Sequence, residues 1–213
     1  MFSEVLSVVT PVFIIAGIGF MWIKRGLPFD NNTISTVVMM VGSPCLIYSS
    51  LTSNTPAIKD LMVMAGAAGF AIVVGLIIAA SILKLLGWQL RTFVPAMVHA
   101  NSGNMGLPLV LLAFGEEGLA LGMAFFFVNS ISQFTIGLSI ASGTFRPSQL
   151  LRQPVIWAVA VVILVLALDI HMPRWFNTTT ELLGGITIPA MLLMLGTSLA
   201  RLNISAIRQT LTV

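Results

Sequence analysis

Charge is what this sequence has least of. Of its 213 residues, 10 are Lys or Arg and 7 are Asp or Glu, 8% in all, where an ordinary soluble domain carries about 25%. So few charges cannot cover a chain of this size in water, and a soluble globule is excluded. Cysteine is nearly absent too, and the single Cys45 excludes an intrachain disulfide framework. A pI of about 9.6 invites a nucleic-acid reading. The Lys and Arg residues stand singly or in pairs between apolar segments, however, with no basic run, so no nucleic-acid partner is expected. No metal-ligand spacing, phosphate loop or nucleophile elbow occurs, and nothing points to a cofactor, a metal or an enzyme.

What the chain does have is apolar length. Hydrophobic residues make up 57% of it and its mean hydropathy is +1.03. A bilayer core of about 30 Å is crossed by about 20 apolar residues in a helix, and short polar breaks divide the chain at that length. The expectation is an all-α membrane protein with seven spans, over residues 5–22, 33–53, 61–83, 92–114, 119–141, 154–170 and 182–200. Counted on alternate sides, Lys24, Arg25, Lys84, Arg91, Arg146, Arg152, Arg201 and Arg208 share one side, and only Lys59 and Arg174 the other. The positive-inside rule then places the N-terminus outside and the C-terminus in the cytoplasm. Glu4 before the first span and Lys24-Arg25 after it are the reverse of a secretory signal, so that span is expected to be retained.

A faint internal repeat follows. "TPVFIIAGIGF" at 10–20 and "QPVIWAVAVVI" at 153–163 each open a span with a proline. "VGSPCLIYSSLT" at 41–52 and "ITIPAMLLMLGTSL" at 186–199 share mid-span helix-breaking prolines, Pro44 and Pro189, 145 residues apart. A repeat of five spans must enter the membrane upside down in its second copy, the inverted arrangement of secondary transporters. Residues 1–145 are therefore expected to form a first five-helix repeat, and 146–213 the first two helices of a second.

The fourth span is interrupted at "NSGNMGLP", residues 101–108. A break at membrane depth is tolerated only where it is buried in protein or lines a wet cavity. Pro108 lacks an N–H and crowds the carbonyl of residue 104, while Gly103 and Gly106 relax the backbone before it. The broken helix offers a second N-terminus, whose free N–H groups and dipole can hold an anion. Asn101, Ser102 and Asn104 add neutral polar groups there, without the cost of a fixed intramembrane charge. Asn129 and Gln133 share one face of the fifth span at i, i+4 spacing and are expected to pack against the break. These eight residues, Asn101, Ser102, Gly103, Asn104, Gly106, Pro108, Asn129 and Gln133, are the candidate substrate-binding set. The alternative is a kink with interhelical hydrogen bonds, and for His99, one turn before the break, a structural bond to a neighbouring carbonyl is the better reading. Glu116, Glu117, Asp169 and His171 fall at the outer ends of spans, where solvent meets them.

"NSGNMGLPL" at 101–109, with "SPCLIYSSL" at 43–51 and "IPAMLLMLGTSLARL" at 188–202, resembles the auxin efflux carrier family of permeases, in its compact prokaryotic form. The resemblance implies ten helices in two inverted repeats, a broken crossover helix in each, and alternating-access transport of small organic anions such as carboxylates across a prokaryotic inner membrane. A coupling proton or sodium ion, and association with another copy or with further helices, would accompany it. This chain stops at Val213 after seven spans. That raises a rival expectation, a non-transporting binding or regulatory subunit or a fragment of a ten-helix carrier, and with it the expectation that residues 1–213 alone as monomers do not catalyse uptake.

Overall fold

The computed structural model describes residues 2–53, 57–145 and 147–202. Two of the eight charges assigned to the cytoplasmic side, Arg146 and Arg208, lie outside them. The regular structure of the described residues is helical throughout, as it must be where no water satisfies backbone polar groups. The helices are α1 (Phe2–Lys24), α2 (Asn31–Val37), α3 (Ser43–Ser53), α4 (Ile58–Leu86), α5 (Leu90–Val98), α6 (Leu107–Ser132), α7 (Leu138–Ser142), α8 (Pro154–Ala167) and α9 (Arg174–Arg201). Three π-turns, Val38–Gly42, Ser102–Gly106 and Gln133–Gly137, join successive helices into longer runs.

Among the described residues, four segments are long and apolar enough to cross a membrane, Asn31–Thr52, Ile58–Leu86, Leu90–Ser142 and Arg174–Arg201, and two apolar helices, Val9–Lys24 and Pro154–Ala167, are shorter. As one straight helix the 53-residue segment would run about 80 Å, more than twice a bilayer core. It doubles back at Gly115, whose φ of 66° and ψ of −159° lie outside the helical region and are open to glycine at low cost. A Cβ on Gly122 would meet Val110 and Leu107, Asn129 bonds to residues 100 and 102, and Gly143 lies against Arg91. The partners climb one arm as they descend the other, so residues 90–142 form an antiparallel helical hairpin.

The outward faces are apolar. Phe13, Met62 and Phe70 are each about 70% exposed, a surface that water would penalise and acyl chains accept. On α4 the buried residues are Ala68, Ile72, Ala79 and Leu83, a single stripe at helical spacing.

α9 organises the interior. α1 lies along it, and α3 packs on both α8 and α9. A Cβ on Gly19 would fall 2.2 Å from the Leu193 carbonyl oxygen, and one on Gly196 only 1.8 Å from that of Ala16. Glycine is what lets the two backbones approach. At one end Thr197 donates to Asn31 Oδ1 (2.8 Å), Asn31 Nδ2 donates to Ser198 (3.3 Å), and the Arg201 guanidinium donates to the carbonyl of Phe29.

Three expectations are corrected. α9 begins at Arg174, eight residues before the expected 182. Pro173 sets its N-terminus, and its first turns are held by packing, with Tyr48 donating to Asn177 Oδ1 (3.0 Å) and stacking edge-on against Phe176. α8 stops at Ala167, short of 170, in a Schellman turn in which Ile170 N–H reaches the carbonyl of Val165 (3.0 Å) and Asp169 takes the left-handed position at φ 50°. Aspartate tolerates that conformation, so no glycine marks the stop. Finally, α9 runs through Pro189 without interruption. The carbonyl its ring crowds belongs to Gly185, where the chain can tilt at little cost.

Candidate functional site

The fourth span does lose its helix, but earlier than Pro108 suggests. α5 ends at Val98, residues 99–101 are non-helical, and the chain re-enters a helix through the π-turn Ser102–Gly106. The turn explains the displacement. Its i→i+5 bonding leads directly into α6 with Pro108 in the first turn, where a missing N–H costs no helical bond, so the gap falls upstream. In the turn the N–H groups of Met105 and Gly106 both reach the carbonyl of Asn101, at 3.3 and 3.2 Å.

The gap is held open from the other arm of the hairpin. Asn129, 2% exposed, donates through Nδ2 to the carbonyl of Ala100 (3.0 Å) and to Ser102 Oγ (3.0 Å), and its Oδ1 faces His99 Nδ1 at 3.4 Å. One buried amide thus replaces helical bonds that the break forfeits, which is why a lone asparagine is tolerated at this depth.

The candidate residues separate into three groups. Asn101, Ser102 and Gly106 line an open cavity of about 860 Å³, whose remaining lining is mainly apolar, with residues such as Met64, Leu109, Val110 and Phe125. Asn101 is exposed and occupies the helix N-cap position, yet its side chain makes no capping hydrogen bond. Asparagine is among the strongest capping residues, so this amide is left free for something else. Glu117 marks the cavity's far end, roughly 16 Å away along the hairpin at 1.5 Å per residue.

The second group does not line that cavity. Pro108 is fully buried, Gly103 lies against Phe126, to which a Cβ would approach within 3.1 Å, and Asn129 is a strut. Asn104 is half-buried, does not line the 860 Å³ cavity, and lies in the π-turn that meets α9.

Gln133 stands apart. The antiparallel pairing that sets Asn129 opposite 100–102 carries Gln133 one turn further, opposite Pro95–His99. There it lines a separate cavity of about 270 Å³ with His99 and Gly137, and it does not join the break as its spacing suggested. The expected partner of His99 is a neighbouring carbonyl; the carbonyl it meets is that of the Asn129 side chain, a contact between residues 30 apart that no local pattern signals.

A third cavity, of about 400 Å³, lies at the other end of α8 and α9 and is lined by Tyr48, Thr52, Asp169, His171, Asn177 and Glu181 among others.

Comparison with known proteins agrees with this architecture. The sequence model of a family described as "Membrane transport protein" matches residues 4–144. An uncharacterized transporter of Methanocaldococcus jannaschii is 22% identical, over 92% of this chain and 69% of its own length.

Proposed function

The chain belongs to the membrane transport protein family, that of the auxin efflux carriers, and from this premise we propose that it is a permease for small organic anions of the carboxylate class, working by alternating access. Membership makes it an integral membrane transporter. The finer reading is carried by one observation: the break at 99–101 opens an uncapped asparagine, Asn101, onto an 860 Å³ cavity at the start of a helix. Such a start presents N–H groups without intrahelical partners and the positive end of the helix dipole. With the Asn101 amide these can hold a carboxylate and release it, since no fixed cation traps it. Asn101, Ser102 and Gly106 form the proposed contact set, with Asn104 beside it. Measured binding of a panel of mono- and dicarboxylates to the purified protein in lipid nanodiscs tests this. Saturable binding that Asn101→Ala weakens supports it, and the absence of binding by every carboxylate rejects it.

The inverted repeat belongs to the same proposal, with 1–145 as the first copy and 146–213 as the start of the second. Two features support it. α1 lies along α9 and α3 along α8, a pairing left unchanged when the first and second spans exchange places with the sixth and seventh. Gly42 and Thr187 are 187 − 42 = 145 residues apart, the separation of Pro44 and Pro189, and they touch, as equivalent positions beside a two-fold axis do. The proposed orientation, C-terminus in the cytoplasm, is supported by Arg201 reaching Phe29 and Arg91 lying against Gly143, which gathers cytoplasm-assigned loops at one end. In a Cys45→Ser background, Glu117→Cys should label from outside intact cells and Thr144→Cys should not. The reverse pattern inverts the topology.

A further inference from the structure

The side of the hairpin away from the 860 Å³ cavity holds an imidazole nitrogen with nothing bonded to it. His99 Nε2 is buried and has no hydrogen-bond partner among the described residues. It borders the 270 Å³ cavity shared with Gln133 and Gly137, room for several waters at about 30 Å³ each. Gly137 leaves it that room, since a Cβ there would stand 2.8 Å from Nε2.

The hydrogen bonding decides which nitrogen carries the proton. Asn129 donates to the carbonyl of Ala100, which only an NH₂ group can do, so the atom facing His99 Nδ1 is the amide oxygen. Nδ1 must therefore be the donor, and in neutral His99 the lone pair is on Nε2, which is buried beside Gly137.

We infer that His99 Nε2 is a proton-binding site whose occupancy is passed through Asn129 to the break where the substrate is proposed to bind. Adding a proton to Nε2 leaves Nδ1–H in place and turns its bond to Asn129 into a charge-assisted one. The polarised amide then grips Ala100 and Ser102 more firmly. The lining of the small cavity, Pro95, Ala96, Gln133, Phe134, Gly137, Leu138 and Ala141, offers an imidazolium no counter-charge. Arg91, the only charge on α5, lies against Gly143. α7 and the third π-turn carry none, the charges of α6 are Glu116 and Glu117 beside the Gly115 turn, and the 3-10 turn Pro147–Arg152 contributes Arg152, which is exposed. On α4, Gly75 packs on Val98 and the nearest charged residue in sequence is Lys84, nine positions on. A carboxylate at Asn101 and Ser102 would supply the missing negative charge, so proton and anion favour each other reciprocally and a monoanion would cross with its charge neutralised. The coupling to a carboxylate rests on the permease reading. The proton site does not.

The chain has two histidines, so His171→Gln leaves His99 as the sole imidazole. Nitrogen NMR of that protein, histidine-labelled in nanodiscs, should show a neutral form protonated at Nδ1 that gains a second proton reversibly on acidification. An Nε2–H neutral form, or no titration, overturns the site. Transmission is read at Leu107, 3% exposed, where a cysteine in a Cys45→Ser background reacts with maleimide only when the break opens. The ratio of labelling rates, His99→Gln over His99, should rise as pH falls through the titration, by at most about tenfold per pH unit for one linked proton, and level off once His99 is protonated in both the closed and the open break. A ratio independent of pH overturns transmission. Succinate should extend His99 protonation to higher pH. Succinate that binds without doing so overturns the coupling, whereas failure of every carboxylate to bind rejects the permease reading and leaves the proton site supported by the first two measurements.

Discussion

Two prolines in this molecule are met by the same backbone device and come to opposite ends. Pro44 follows the π-turn Val38–Gly42, and Pro108 follows the π-turn Ser102–Gly106, each with glycine two residues before the proline. At the first turn the helix is entered through Asp30, which caps it by accepting from the Asn32 N–H (3.0 Å) and the Thr33 hydroxyl, and the turn is sealed by Thr187 against Gly42. At the second, the side chain of the cap residue Asn101 makes no capping bond and the turn borders a cavity. The lesson is that a proline in a span relocates strain. Whether a site results depends on what stands opposite.

The sharpest way to break the contrast is at the strut. Asn129→Leu strips Ser102 Oγ and the Ala100 carbonyl of their donor, at roughly 1–3 kcal/mol for each acceptor left bare, and the thermal midpoint should fall more than for any other substitution below. Gly42→Ala comes next. Its Cβ would lie 2.4 Å from Thr187 Oγ1, an overpacking cost of about 1–3 kcal/mol, visible in the same melting measurement. Asn101→Ala should leave the midpoint within about 0.5 kcal/mol of the parent while weakening carboxylate binding roughly 10- to 100-fold, the value of a lost hydrogen bond to a charged group. A loss of stability in proportion to binding would return Asn101 to a structural role.

Gly106→Ala is the matched control for Gly42→Ala. Its Cβ would make only ordinary contact with Ser102 Cβ at 3.6 Å, so stability should change by less than about 1 kcal/mol, with alanine's helix propensity pulling upward. Equal destabilisation at the two glycines would mean the second turn is as tightly sealed as the first. Smallest is the response of the first turn's cap to acid. The Thr33 hydroxyl and the Asn32 N–H hold the Asp30 carboxyl below the usual carboxylate range. Its contribution is present above the ordinary value and is lost as pH falls through the depressed one. Asp30→Asn should flatten that acid limb of the melting profile slightly, and an unchanged limb would remove the cap from the account.

Much of this was legible from residues alone, because in a bilayer apolar length and polar interruption are the physics that matters. The polar cluster at 101–108 marked the break, and the i, i+4 pair at Asn129 marked its neighbour. The exact gap was not legible, since a π-turn can absorb a proline that a regular helix cannot, and no local pattern announces one. The position of Gln133 depends on the antiparallel phase of the hairpin, and the early start of α9 on tertiary contacts of Asn177 and Phe176. Each is set by a partner distant in sequence.

The glycine seam between α1 and α9 has a mechanical consequence. With Gly19 pressed on the Leu193 carbonyl and Gly196 on that of Ala16, sliding one helix past the other by a single residue would drive a side chain into a backbone. The pair is keyed, as a shaft is keyed to a wheel. α9 meets the 90–142 hairpin chiefly through the short turn at 102–106, a small bearing surface next to a keyed joint. Movement of the keyed pair against the hairpin must therefore cross that bearing together with the contacts of α1 and α3 on α6, and the residues on the bearing are those that border the break.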